Sequence, residues 1–119
     1  YIRYAHARIC SMLANAGMAD DAIAAADISL LTAPSEFALM QRLAEFPQVI
    51  RLAAQELAPH HIAFWLRDCA ADFHGWYNAE RVLVDDESLK LARLRLAAST
   101  RQVLANGLAL LGLSAPQRM

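Results

Sequence analysis

The chain has 119 residues, 57% of them hydrophobic, and a formal net charge of −1. That length supports one self-sufficient core, and a composition rich in Ala and Leu but poor in Gly and Pro excludes a disordered chain. Near-neutral charge argues at first against a nucleic-acid partner, because such affinity rests on neutralised phosphates.

From the N-terminus onward every persistent period is helical. Over Tyr1–Ala16 the residues Ile2, Ala5, Ile9, Met12, Leu13 and Ala16 share one stripe, and Gly17 supplies the stop. Asp20 to Leu31 is Ala-rich and reads equally as a short helix or an extended connection. Thr32 or Ser35 then caps a helix with Pro34 and Glu36 in its first turn and Phe37, Met40, Leu43 and Ala44 inward. Pro47 restarts a helix with Val49, Ile50, Leu52, Ala53 and Leu57 on one face. Pro59 begins the next, where Ile62, Leu66, Cys69, Ala70, Phe73 and Tyr77 follow the three/four spacing. Val82 to Glu87 is a loop. Ser88 opens the last helix, with Leu89, Ala92, Leu96, Val103, Leu104, Leu108 and Leu111 inward until Gly112, and Pro116 keeps the tail from continuing it. No two-residue alternation suggests a hairpin, so the expected fold is an all-α antiparallel helical bundle filling residues 1–119 as a single domain. A chain that opens on Tyr1 is expected to be a fragment of a longer protein.

Several function classes find no support in these residues. The longest strongly apolar run, Val103 to Leu113, falls short of the roughly 20 residues of a membrane span. No phosphate-cradling glycine loop is present, so neither ATP nor another cofactor is expected in this chain. Adjacent His60 and His61 point to different helix faces and lack further ligands, so no metal is expected. Cys10 and Cys69 have no neighbouring base and read as buried free thiols of a cytoplasmic protein. No acid, base and nucleophile constellation is visible, and function must lie in a surface.

The charge is unevenly distributed. Residues 1–11 carry Arg3 and Arg8, residues 88–119 carry Lys90, Arg93, Arg95, Arg101 and Arg118, and all twelve acids lie between the two segments. If the ends meet, the domain has a basic face and an acidic back. On the first helix Tyr1, Tyr4, Arg8, Ser11 and Asn15 form a narrow stripe beside the apolar face. Two rings and a cation one turn apart suit single-stranded RNA, whose splayed bases stack on aromatic faces. Packing of Tyr1 and Tyr4 on another part of a parent protein fits the same spacing equally well. Tyr77 is followed one turn later by Arg81, a second ring and cation that can face the same way. Gly75 points to a close approach, most commonly by a neighbouring helix. Arg93 falls on an inward stripe, where a charge needs a partner, and a structural ion pair with Glu80, or with another carboxylate of that helix such as Asp72, is expected.

Tyr1-Ile2-Arg3-Tyr4-Ala5-His6-Ala7-Arg8 at the start, Phe73-His74-Gly75-Trp76-Tyr77-Asn78 within, and Ser114-Ala115-Pro116-Gln117-Arg118-Met119 at the end resemble, together and in this order, the C-terminal anticodon-binding domain of bacterial arginyl-tRNA synthetases. The resemblance extends through Leu30 to Glu36 and Gln102 to Leu108. It departs at Gly75, where family members more often carry a side chain, and at Trp76, where they carry a smaller aromatic. The Asp-Ala-Leu-Arg signature is not present verbatim; Lys90-Leu91-Ala92-Arg93 is its nearest stretch. The resemblance implies that Tyr1, Tyr4, Arg8, Tyr77, Arg81, Arg118 and Met119 meet the anticodon loop of arginine tRNA. It further implies a monomer whose separate catalytic domain in the same chain joins arginine to that tRNA, using ATP and magnesium. The alternative is a helical protein-interaction or scaffold module without RNA, with Tyr1, Tyr4 and Trp76 as its docking patch.

Overall fold

A carboxylate on one helix, rather than apolar contact alone, sets the register of three of the helices. The computed structural model describes residues 1–117. Six α-helices follow in order: α1 (Ile2–Ala16), α2 (Asp20–Ala24), α3 (Pro34–Ala44), α4 (Phe46–Gln55), α5 (His60–Ala79) and α6 (Glu87–Leu110), with a 3₁₀ turn at Ile28–Leu30 between α2 and α3. The ambiguous Asp20–Leu31 segment is thus both a short helix and a turn. No strand occurs among the described residues.

Helix α5 is the spine: α3, α4, α6 and α1 all pack on it, and α6 also receives α1, α2 and the 3₁₀ turn. The core between them holds Ile9, Leu39, Trp65, Leu66, Phe73, Trp76, Leu94, Leu104 and Leu108. Helix α6 starts one residue earlier than Ser88, because the Asp86 side chain accepts from the amides of Ser88 and Leu89 at 3.1 and 3.3 Å.

Glu36 is 1% exposed and holds three elements together. Its Oε1 accepts from the amide of Ala33, at the start of α3, at 3.2 Å. Its Oε2 accepts from Arg93 Nε on α6 at 2.9 Å and from the Trp76 indole on α5 at 3.1 Å. Arg93 then donates Nη2 to Glu80 at 3.2 Å and Nη1 to the Arg81 carbonyl at 2.6 Å. Asp72 is not part of this network; it pairs with Arg42 at 2.8 Å and ties α3 to α5. Drawing Glu36 inward turns α3 away from the expected phase. Leu39 is buried, Met40 and Leu43 are half-buried, and Ala44 and Phe37 are exposed, the latter at 55%.

Other expectations change as well: Leu52, placed on the inward face, is 42% exposed, and α3 is capped at Ala33 rather than by a Thr32 or Ser35 side chain. Leu57 points out, 88% exposed, because the turn that closes α4 takes it through φ 51° while Ala58 N–H bonds to the Ala53 carbonyl at 2.9 Å. The close approach belongs to Gly107 and not to Gly75. A Cβ at Gly107 would stand 2.6 Å from Leu66 Cδ2, whereas one at Gly75 would meet nothing within 4 Å.

Gly75→Ala is therefore expected to raise stability by about 1 kcal/mol, the helix-propensity gain with no steric cost. Gly107→Ala should lower it by ~1 kcal/mol, since fully buried Leu66 cannot swing aside and overpacking outweighs the same gain. Urea denaturation of the two variants checks both signs. In double-mutant cycles, Arg93 should couple to Glu36 by about 3 kcal/mol but to the more exposed Glu80 by less than ~1 kcal/mol. Equal couplings would remove Glu36 as the anchor.

Candidate nucleic-acid interface

Packing of α1 across α5 leaves an open cleft of about 790 Å³ at the C-terminal end of α5. Tyr4, Arg8, Ser11 and Asn15 line it from α1, and Tyr77, Asn78, Glu80 and Arg81 line it from the other side. Four of the residues singled out in the sequence, Tyr4, Arg8, Tyr77 and Arg81, thus share one cavity although they stand up to 77 positions apart. The helical stripe of α1 explains one wall. The other wall follows from Tyr77 lying at the rim of the apolar face of α5, where it is 39% exposed while Phe73, one turn earlier, is fully buried.

Arg8 organises the centre. Its guanidinium carbon lies 4.3 Å from the Tyr77 ring centroid and 4.9 Å from that of Tyr4, within cation–π range of both. Nη2 donates to the Tyr4 hydroxyl at 2.8 Å, and Nη1 donates to His74 Nδ1 at 3.1 Å. The His74 ring stacks on Tyr4, with centroids 5.6 Å apart and planes 24° from parallel, and lies 5.1 Å from the Tyr1 ring. Tyr1 is therefore joined to the cluster through His74 and does not line the cleft itself. Burial holds the His74 imidazole below its ordinary pKa of 6.5, and the neighbouring Arg8 charge acts in the same direction.

The electrostatics of the cleft depend on the core. Glu80 is a carboxylate on a wall otherwise suited to an anionic ligand, and Arg93 reaches from beneath to pair with it at 3.2 Å. Arg81 lines the rim with no ion pair among the described residues, its backbone carbonyl held by Arg93. The two acid-free segments do come together, since α1 packs against α6. Arg93 is turned inward, however, so the basic face is thinner than the sequence count implies.

Trp76 is fully buried, with its indole on Glu36, and cannot belong to a docking patch with Tyr1 and Tyr4. Arg118 and Met119 lie outside the described residues. Before them, the His6 imidazole donates Nδ1–H to the Pro116 carbonyl at 2.7 Å and fastens the tail to α1. Asn78 was not read as a site residue, because an isolated amide carries no spacing signal until a cavity gathers it with Ser11 and Asn15 of the α1 stripe. Among the described residues no helix is long and apolar enough to cross a membrane, and no His, Cys, Asp and Glu group is placed to hold a metal.

An all-helical bundle whose first helix and spine enclose a tyrosine- and arginine-lined cleft has the form of a helical anticodon-binding domain. The chain belongs to the DALR anticodon binding domain family, whose sequence model matches residues 2–119. It is 83% identical over its full length to arginine–tRNA ligase of Bordetella petrii, covering 21% of that protein. It is 59% identical to the arginine–tRNA ligase of Herminiimonas arsenicoxydans, again over its full length and 21% of the relative. The structure of Thermus thermophilus arginyl-tRNA synthetase matches all of the chain and 21% of its own length, with a TM-score of 0.88 at 40% identity. The chain thus spans about a fifth of the length of these relatives.

The thiol of Cys69 stands apart from the cleft. It is fully buried, and desolvation, with a smaller contribution from Asp72, pushes its pKa up to about 12. It should resist a disulfide reagent at pH 8 in the folded protein and react only on unfolding; fast labelling by mass spectrometry in native buffer would contradict the buried placement.

Proposed function

We propose that this domain binds the anticodon stem-loop of arginine tRNA in the cleft between α1 and the end of α5, as the C-terminal domain of an arginine–tRNA ligase. The observation that carries the reading is Arg8, its guanidinium carbon 4.3 Å from the Tyr77 ring centroid and its Nη2 bonded to the Tyr4 hydroxyl, beside an open, polar-rimmed cavity. The two rings with a cation between them offer a stacking surface for an unstacked base. Ser11, Asn15 and Asn78 offer donors and acceptors to its edge, and Arg81 a charge to the backbone. Tyr1 extends the aromatic surface beyond the cleft, and Arg118 and Met119 join it on the strength of the family resemblance alone. In this reading the fragment is a single non-catalytic domain of a monomeric, cytoplasmic enzyme. The joining of arginine to tRNA, with ATP and magnesium, belongs to the catalytic domain of the same protein.

Salt-titrated binding to an arginine-tRNA anticodon stem-loop tests the proposal, beside a loop with its central anticodon base changed. Affinity should fall with salt and with the base change. Tyr77→Ala should weaken it by about 1–3 kcal/mol without altering the salt slope. Arg81→Ala should lower the log–log salt slope by about 0.7, the share of one phosphate contact on a single strand. Equal affinity for both loops would leave a non-specific cationic face only.

A further inference from the structure

We propose that His74 is a positioning residue of the cleft, a neutral imidazole that locks the Arg8 guanidinium against Tyr77 and is released by acid. The inference rests on the RNA-binding reading above and concerns how that site is kept in its binding geometry.

A guanidinium has only donors, so the 3.1 Å contact between Arg8 Nη1 and His74 Nδ1 requires Nδ1 to accept. The proton of the neutral ring then sits on Nε2, which is buried with no partner among the described residues. The Tyr4 hydroxyl alone, on Nη2, would leave Arg8 free to rotate about that single bond. The second anchor on Nη1 fixes the orientation of the guanidinium as well as its position, which keeps its carbon 4.3 Å from the Tyr77 ring centroid. His74 is itself held by its ring contacts with Tyr4 and Tyr1 from α1 and with Phe73 on its own helix.

The charged and titratable groups facing His74 are Arg8 and the Tyr1 and Tyr4 phenols. No carboxylate is bonded to it among the described residues. A second proton on the ring removes the acceptor and sets two cations side by side. Its lowered pKa means that the neutral, bonded form holds at neutral pH and is lost only as the pH drops below the ordinary histidine value of 6.5.

The sign of the pH effect separates this role from that of an ordinary surface histidine. An imidazolium near RNA adds a cation and strengthens phosphate binding. A positioning histidine does the opposite. Binding of the anticodon stem-loop should therefore weaken by about 10-fold as the pH is taken from 7.5 down through the His74 titration, followed by NMR of its ring, the worth of one charge-assisted hydrogen bond. His74→Ala should show a similar loss already at pH 7.5. His74→Gln, whose amide oxygen can accept from Arg8, should bind near the wild-type level and lose this part of the acid response. In the RNA-free protein, nitrogen NMR should find slow rotation of the Arg8 guanidinium at pH 7.5 and fast rotation at the acid end of the His74 titration. Binding that strengthens in acid, or Arg8 rotation fast at both pH values, would overturn the role of His74 while leaving the cleft as the RNA site. Wild-type protein that binds no stem-loop at any pH would overturn the RNA reading and this inference with it.

Discussion

The buried pair between Glu36 and Arg93 is the constraint on which the remaining geometry rests. Two charges removed from water are tolerated only when every lone pair and proton is satisfied. Here Glu36 accepts from an amide, an indole and a guanidinium, and Arg93 donates two further bonds, to Glu80 and to the Arg81 carbonyl. Apolar surfaces can slide by a residue at small cost, but this arrangement cannot. It fixes the rotation of α3, the depth of Trp76 and the point at which the chain leaves α5, all from one side chain.

The same arrangement connects core to surface. By holding the backbone at Arg81 and neutralising Glu80, Arg93 defines the shape and charge of one wall of the cleft without touching whatever enters it. The opposite wall is built from the α1 stripe, and Arg8 joins the two walls through its contacts with Tyr4, Tyr77 and His74. The site is assembled largely before a ligand arrives, so little side-chain freedom remains to be lost on binding.

Much of this organisation was legible in the sequence, and the exceptions have physical causes. The helices were readable because their apolar spacing is regular, and the α1 stripe because a helical surface follows from periodicity alone. The pairing of Arg93 with Glu80 was readable because an inward charge demands a partner. Glu36 was not, since a carboxylate three residues after Thr32–Ala33 reads as an ordinary first-turn acid, and only the tertiary structure brings Arg93 and an indole to it. The misplaced phase of α3 follows from that omission, as Phe37 is the natural inward residue if Glu36 faces water. Gly75 and Gly107 exchanged roles for a similar reason: a glycine in a helix signals that something lies near, but which glycine faces a neighbour depends on packing across helices. The cation–π contact of Arg8 with Tyr77 joins residues whose separation of 69 positions carries no local signal.

Because one wall of the cleft is a single helix, occupancy of the cleft and docking of that helix are linked equilibria. Helix α1 meets α5 and α6 through Ala5, Ile9 and Met12, while Glu36, Arg93 and Trp76 lie entirely within α3, α5 and α6. An excursion that lifts α1 away would erase the stacking surface yet leave the anchored core and most of the helical content in place. A ligand bound across both walls would then act as a clasp, slowing amide exchange along α1 more than along α5. A lesion in the α1 contacts could thus abolish recognition in a protein that still appears folded by far-ultraviolet dichroism.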